Sequence, residues 1–195
     1  MEPAKVNFKI YQGSTFLQQL RWESTTKTYI PIIAIEKSAP AKIVVESSAN
    51  LPPLGWRVRV SGAGGMKEIN ALDYQTVTDK TTDTVTLNQI NSLGFTAYTS
   101  GGVLEYNQPV ALNGYTARMQ IRAKLDSDTV LHSLTTENGG ILLDNTNKTI
   151  TMYIADETTQ TFTFKAAVYD LELISGGEVT ALASGSITLV REVTR

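Results

Sequence analysis

Leu112-Asn113-Gly114-Tyr115-Thr116-Ala117-Arg118-Met119-Gln120-Ile121-Arg122 decides the class of the fold. Tyr115, Ala117, Met119 and Ile121 alternate with Thr116, Arg118, Gln120 and Arg122, a spacing of two that sets one face on a core and the other in water. Asn113-Gly114 supplies a turn ahead of the strand. The same alternation recurs at Trp56, Val58 and Val60 around Arg57 and Arg59, and at Val6, Phe8 and Ile10 around Asn7 and Lys9. It returns at Ile150, Met152 and Ile154, at Tyr169, Leu171 and Leu173, and at Ile187, Leu189 and Arg191. Phe16, Leu20 and Trp22, with Gln18 as a polar intruder, follow Gly13-Ser14, so the first two segments are predicted to form a hairpin.

Thr, Val and Ile are abundant, and β-branched side chains suit a pleated, half-buried surface. Turn residues fall between the strands at Asn138-Gly139-Gly140, Asp144 to Lys148 and Ser175-Gly176-Gly177, the cadence of an antiparallel sandwich. Helical spacing is confined to Ala155–Gln160, where Asp156 is predicted to cap a single turn linking two strands across the sandwich.

Hydrophobic residues make up 42% of the 195 and charged residues 18%, which is enough apolar surface for a real core. A net charge of −2 gives no field to hold a polyanion, so nucleic acid is not an expected partner. The absence of Cys excludes disulfides, thiolate nucleophiles and Cys-ligated metals. Ile30-Pro31-Ile32-Ile33-Ala34-Ile35 is far short of the roughly 20 apolar residues that span a bilayer, so no membrane insertion is expected. The start Met1-Glu2-Pro3-Ala4-Lys5 lacks the pattern of a secretory signal, and folding in a cytoplasm is expected.

Residues from about Thr28 to Gln108 hold their own short strands, a Gly cluster and four of the six prolines, with Pro109 closing the stretch. They read as an insertion. Residues 28–109 are thus expected to form a small inserted β-barrel, and residues 1–27 together with 110–195 a discontinuous sandwich, which requires the ends of the insert to lie close together.

Several segments invite a chemical reading. Ser61-Gly62-Ala63-Gly64-Gly65-Met66-Lys67 resembles a phosphate cradle only superficially, because Glu68 follows Lys67 where Ser or Thr is needed; a tight turn between strands is expected. His132, the one histidine, is expected to be structural. Asp126 and Asp128, and the Asp144, Asn145, Asn147 group, sit where such side chains close their own turns, and a calcium loop would want more carboxylates. No catalytic, cofactor-binding or metal-ligating residue is assigned. Trp56 alternates with inward valines and belongs to a core. Tyr98 and Tyr106, flanking Gly101-Gly102, are the candidates for contact with a partner, filling of a hairpin being the other possibility.

Phe8-Lys9-Ile10-Tyr11-Gln12-Gly13-Ser14-Thr15-Phe16, Leu112 to Arg122 and Tyr169-Asp170-Leu171-Glu172-Leu173 resemble an immunoglobulin-like β-sandwich of tailed bacteriophages, similar to the N-terminal domain of baseplate upper proteins and tail-fibre-attachment proteins. Ile33-Ala34-Ile35-Glu36-Lys37, Gly55 to Gly62 and Gly94 to Gly102 resemble the small β-barrel known as the first catalytic cysteine half-domain of ubiquitin-activating enzymes. The resemblance implies an all-β chain, an immunoglobulin-like antiparallel β-sandwich interrupted by a small inserted β-barrel domain. It implies a non-enzymatic virion component, made in the host bacterial cytoplasm, that acts as a tail, neck or baseplate adaptor or fibre-attachment protein. Ubiquitin chemistry is not implied, since there is no Cys to carry it. Such sandwiches often continue into a fibre or receptor-binding region, and a chain ending at Arg195 is expected to be an adaptor. The expected partners are other phage virion proteins and copies of itself, met through sheet edges and hairpin tips. A capsid decoration protein and a module binding host-surface glycan through Tyr98 and Tyr106 are the alternatives.

Overall fold

The computed structural model describes residues 2–46, 50–87 and 90–192. In chain order the strands are β1 (Ala4–Lys5), β2 (Phe8–Tyr11), β3 (Phe16–Leu20), β4 (Glu23–Glu36), β5 (Lys42–Val45), β6 (Arg57–Ser61), β7 (Gln75–Lys80), β8 (Thr84–Leu87), β9 (Val103–Pro109), β10 (Thr116–Arg122), β11 (Val130–Thr135), β12 (Ile141–Asp144), β13 (Thr149–Ile154), β14 (Ala166–Ser175) and β15 (Glu178–Val190). One short helix, α1 (Asp156–Gln160), and a 3-10 turn at Lys67–Ala71 complete the regular structure of the described residues. The chain is all-β and divides into two compact units at Trp22/Glu23 and Val110/Ala111. Residues 23–27, given to the sandwich by composition, instead open strand β4, whose register with β9 shifts between Glu23 and Lys27, and Val110 also falls in the insert.

The sandwich unit has two sheets. The larger runs β1-β15-β14-β10-β11, with β2 also on β15, and the smaller runs β12-β13-β3. Reading β3, β10, β11, β12, β13, β14 and β15 as strands B, C, C′, D, E, F and G gives a GFC sheet over a BED sheet, the immunoglobulin arrangement. The insert therefore occupies the B–C connection. Alternation fills the core from both sheets: Ala117, Met119 and Ile121 of β10, Leu171 and Leu173 of β14, and Ile150, Met152 and Ile154 of β13 are all buried.

Four expectations change. The first two segments do not form a hairpin, because β2 pairs with β15 and β3 pairs with β13, in different sheets. Gly13, at φ +75°, turns the chain from one sheet to the other, so Phe8 and Phe16 meet edge to face across the core at 5.7 Å. The sandwich is not wholly antiparallel, since β1 and β2 run parallel to β15. Asp156 is the first helical residue and makes no cap; Ala155 is the N-cap, and its carbonyl accepts from Thr158 and Thr159. Arg191 lies beyond the end of β15 and is exposed.

The insert closes as a barrel of six strands in the order β4-β5-β8-β7-β6-β9. β4 spans 14 residues and serves two neighbours, pairing with β9 through Pro31 and with β5 from Ile32 onward. Trp56, Val58, Val60, Ile43, Val85, Leu104 and Tyr106 fill its separate core. Glu23 and Pro109 are register partners, which brings the two ends of the insert together.

Candidate functional site

The two tyrosines are used inside the barrel unit. Tyr106 is 1% exposed, points inward with Leu104, and donates its hydroxyl proton to the Asn50 carbonyl. Burial pushes its pKa upward. It therefore presents no ring to a partner, which corrects its reading as a contact residue; the spacing of two from Leu104 is the signal that places it inside. Tyr98 is half-buried against the same core, with its hydroxyl 3.0 Å from the Ile32 carbonyl and 2.9 Å from that of Gly101. It pins the loop before β9 to β4.

The Gly-rich loop spends its donors internally. Ala63 N–H donates to Asn70 Oδ1 at 2.9 Å, Gly64 N–H to Ser100 O at 2.7 Å, Met66 N–H to Gly64 O and Lys67 N–H to Gly65 O. A Cβ on Gly65 would stand 2.1 Å from the Ala97 carbonyl, so glycine here permits close backbone packing.

His132 lies on β11, half-buried, its ring 5.5 Å from Phe162 in an edge contact. Burial lowers its pKa and favours the neutral imidazole. Asp126 and Asp128 are exposed on the loop between β10 and β11. Asp144 accepts from the backbones of Thr146 and Asn147 and from the Asn147 amide at 2.7 Å, and these bonds, those to Asn147 foremost, lower its pKa. Asn145 Oδ1 accepts from Leu112 N–H and Lys148 Nζ, each at 2.8 Å. Asp144 and Asn147 close their own turn, and Asn145 ties that turn to Leu112. No cluster of three or more potential metal-ligating side chains occurs among the described residues.

Charged groups converge at two other places that sequence spacing alone does not join. On the barrel wall, Arg57 grips Glu23 through Nε at 2.7 Å and Nη2 at 2.6 Å, and its guanidinium lies 5.2 Å from the Tyr74 ring centre. Tyr74 stands 3.4 Å from Glu105, and Lys27 Nζ 3.5 Å from the same carboxylate. Tyr74 and then Glu105 raise the Lys27 pKa, which keeps it a cation and removes it as a base. Asn107 adds a bond to the Ser24 carbonyl at 3.0 Å while its own carbonyl receives Trp56 Nε1–H at 2.8 Å. The cluster joins β4, β6, β9 and the segment leading into β7 where the chain enters and leaves the barrel.

The second place is the outer face of the larger sandwich sheet. Arg118, Gln120, Arg122, Leu125, Val168, Asp170 and Glu172 line an open cleft of about 390 Å³ there. Arg118 Nε donates to Glu172 at 2.6 Å. Arg122 donates to Gln120 Oε1 at 2.8 Å and to the Ser127 carbonyl. The adjoining edge strand β11 is partly covered: the Asn138 amide donates to the Ser133 carbonyl at 3.0 Å and its oxygen accepts from Thr135 N–H at 2.8 Å. One side chain thus takes backbone groups that another strand would need. The opposite sheet presents Leu17, Leu142 and Tyr153 outward, all exposed.

No protein-family model and no curated protein matches the chain.

Proposed function

We propose that the chain is a non-enzymatic structural component of a tailed-phage virion, an adaptor or fibre-attachment protein of the tail, neck or baseplate. The observation that carries the reading is the nesting of two separately cored β units, the second grafted into the B–C connection of the first through paired ends at Glu23 and Pro109. In this role the chain holds with one unit and presents the other. The phage resemblance of the β2–β3, β10 and β14 segments supplies the setting. Tyr98, Tyr106, His132 and Asp144 serve packing and turns, which suits a fitting whose work is burial and docking.

Mass spectrometry of purified particles, followed by imaging of the assembled tail, tests this reading. The chain is expected in mature particles at a fixed copy number tied to tail symmetry. Recovery from the soluble lysate alone would refute it, and a copy number matching the capsid lattice would move it to a decoration role.

A further inference from the structure

The outer face of the larger sheet carries its charges in two parallel rows. Arg118, Gln120 and Arg122 project from β10, and Glu172 and Asp170 from the adjacent β14. The register sets Arg118 beside Glu172, Gln120 beside Asp170 and Arg122 beside Val168. A cationic row therefore lies next to an acidic one, about 4.8 Å away. Leu125, 77% exposed, stands at the border of the cleft just beyond Arg122.

We propose that this face pairs with the same face of a second copy of the chain, about a two-fold axis parallel to β10 and β14 and midway between them. Half a turn about that axis exchanges the rows while keeping position along the strands. Each cationic row then covers the other copy's acidic row, Arg118 over Glu172 and Gln120 over Asp170. Arg122 falls one diagonal step from the second copy's Asp170, within reach of a long side chain. Leu125, which lines the same cleft beyond Arg122, falls at the rim of the paired faces. An in-plane axis perpendicular to the strands sets β10 on β10 and like charge on like charge, so the charge pattern selects between the two. The Arg118–Glu172 bond already holds both side chains in place, which reduces the ordering cost of pairing. This inference goes beyond the adaptor reading and is read from solution mass alone, so either can fail without the other.

Sedimentation velocity of the full chain over a range of concentration and salt tests it. The wild type is expected to reach twice 21.3 kDa, with association weakening as salt rises. Arg122→Glu and Asp170→Arg, each alone, place like charges together at two symmetric points and are expected to weaken association by about tenfold or more. An equal mixture of the two variants restores opposite charges at both points and is expected to recover the dimer mass. Leu125→Asp is expected to weaken association without touching the rows, and circular dichroism verifies the fold of each variant. A wild type that stays monomeric, a dimer indifferent to these substitutions, or a mixture that fails to recover it would overturn the proposal.

Discussion

Besides their ladders with β15, the N-terminal strands β1 and β2 are tied down by a cluster of bonds between them, and opening that cluster has a calculable effect. Between β1 and β2 the Val6 carbonyl accepts the Tyr169 hydroxyl at 2.8 Å, and Val6 N–H donates to the Ser184 carbonyl at 3.0 Å. Asn7 Oδ1 accepts from Ser186 N–H at 2.9 Å and from Ser186 Oγ at 3.0 Å. Gly185 makes this approach possible, because a Cβ there would stand 2.0 Å from the Val6 oxygen and 2.9 Å from Asn7 Oδ1. Tyr169→Phe removes one buried hydrogen bond and strands a carbonyl, a loss of about 1–2 kcal/mol. Gly185→Ala forces the strand away and breaks several of these bonds together, about 2–4 kcal/mol. Since both act on the same contact, Tyr169→Phe is expected to cost less in the Gly185→Ala background than alone. Urea denaturation of the four proteins measures the cycle, and hydrogen exchange of residues 4–11 locates it. Gly185→Ala with unchanged protection at β2, or strict additivity in the cycle, would refute the reasoning.

Asn70→Ala removes both bonds to Ala63, each 2.9 Å, and is expected to lower barrel stability by about 1–3 kcal/mol, read by thermal unfolding. Arg57→Ala breaks a bidentate pair whose arginine is largely exposed, so about 0.5–1 kcal/mol is expected, shrinking at high salt, with a double cycle against Glu23→Ala isolating the pair. His132 has a folded pKa below its ordinary 6.5, so the unfolded chain takes up the proton first as pH falls. The His132 contribution to stability is therefore constant above about 6.5 and lost on acidification from there down to the folded value. His132→Phe, which keeps a ring against Phe162, is expected to flatten that part of the pH–stability curve.

Alternation made the inward residues readable, and it did so wherever a strand borders one core: Val58 and Val60, Met119 and Ile121, Leu171 and Leu173 are all buried as their spacing demands. Partnership was not readable from the same signal. A period of two tells which face of Phe8–Tyr11 is buried and nothing about which strand lies alongside, so a hairpin and a crossing between sheets give the same string. The barrel boundary suffered similarly, because β4 continues through residues 23–27 without the turn residues that composition relies on. The charged clusters were invisible for a different reason. Glu23 and Arg57 come from two strands and Tyr74 from the segment before β7, as Arg122 and Asp170 come from two strands, and only closure of the sheets brings them together.

The paired ends of the insert explain how a sandwich tolerates a guest in its B–C connection. Left as open chain, the stretch from Glu23 to Val110 would have to be closed as a long loop before β3 and β10 could join their sheets. Compared with an ordinary connection of about 6 residues it is nearly four doublings longer, which costs roughly 2 kcal/mol in closure entropy. Once the barrel has formed, Glu23 and Pro109 are held across one strand spacing and the sandwich meets a short bridge instead. The Arg57–Glu23 pair and the Asn107 bonds to Ser24 and Trp56 sit where they keep that bridge shut. Their contribution therefore bears on the connection between β3 and β10 as well as on the barrel, through the closure entropy of that connection.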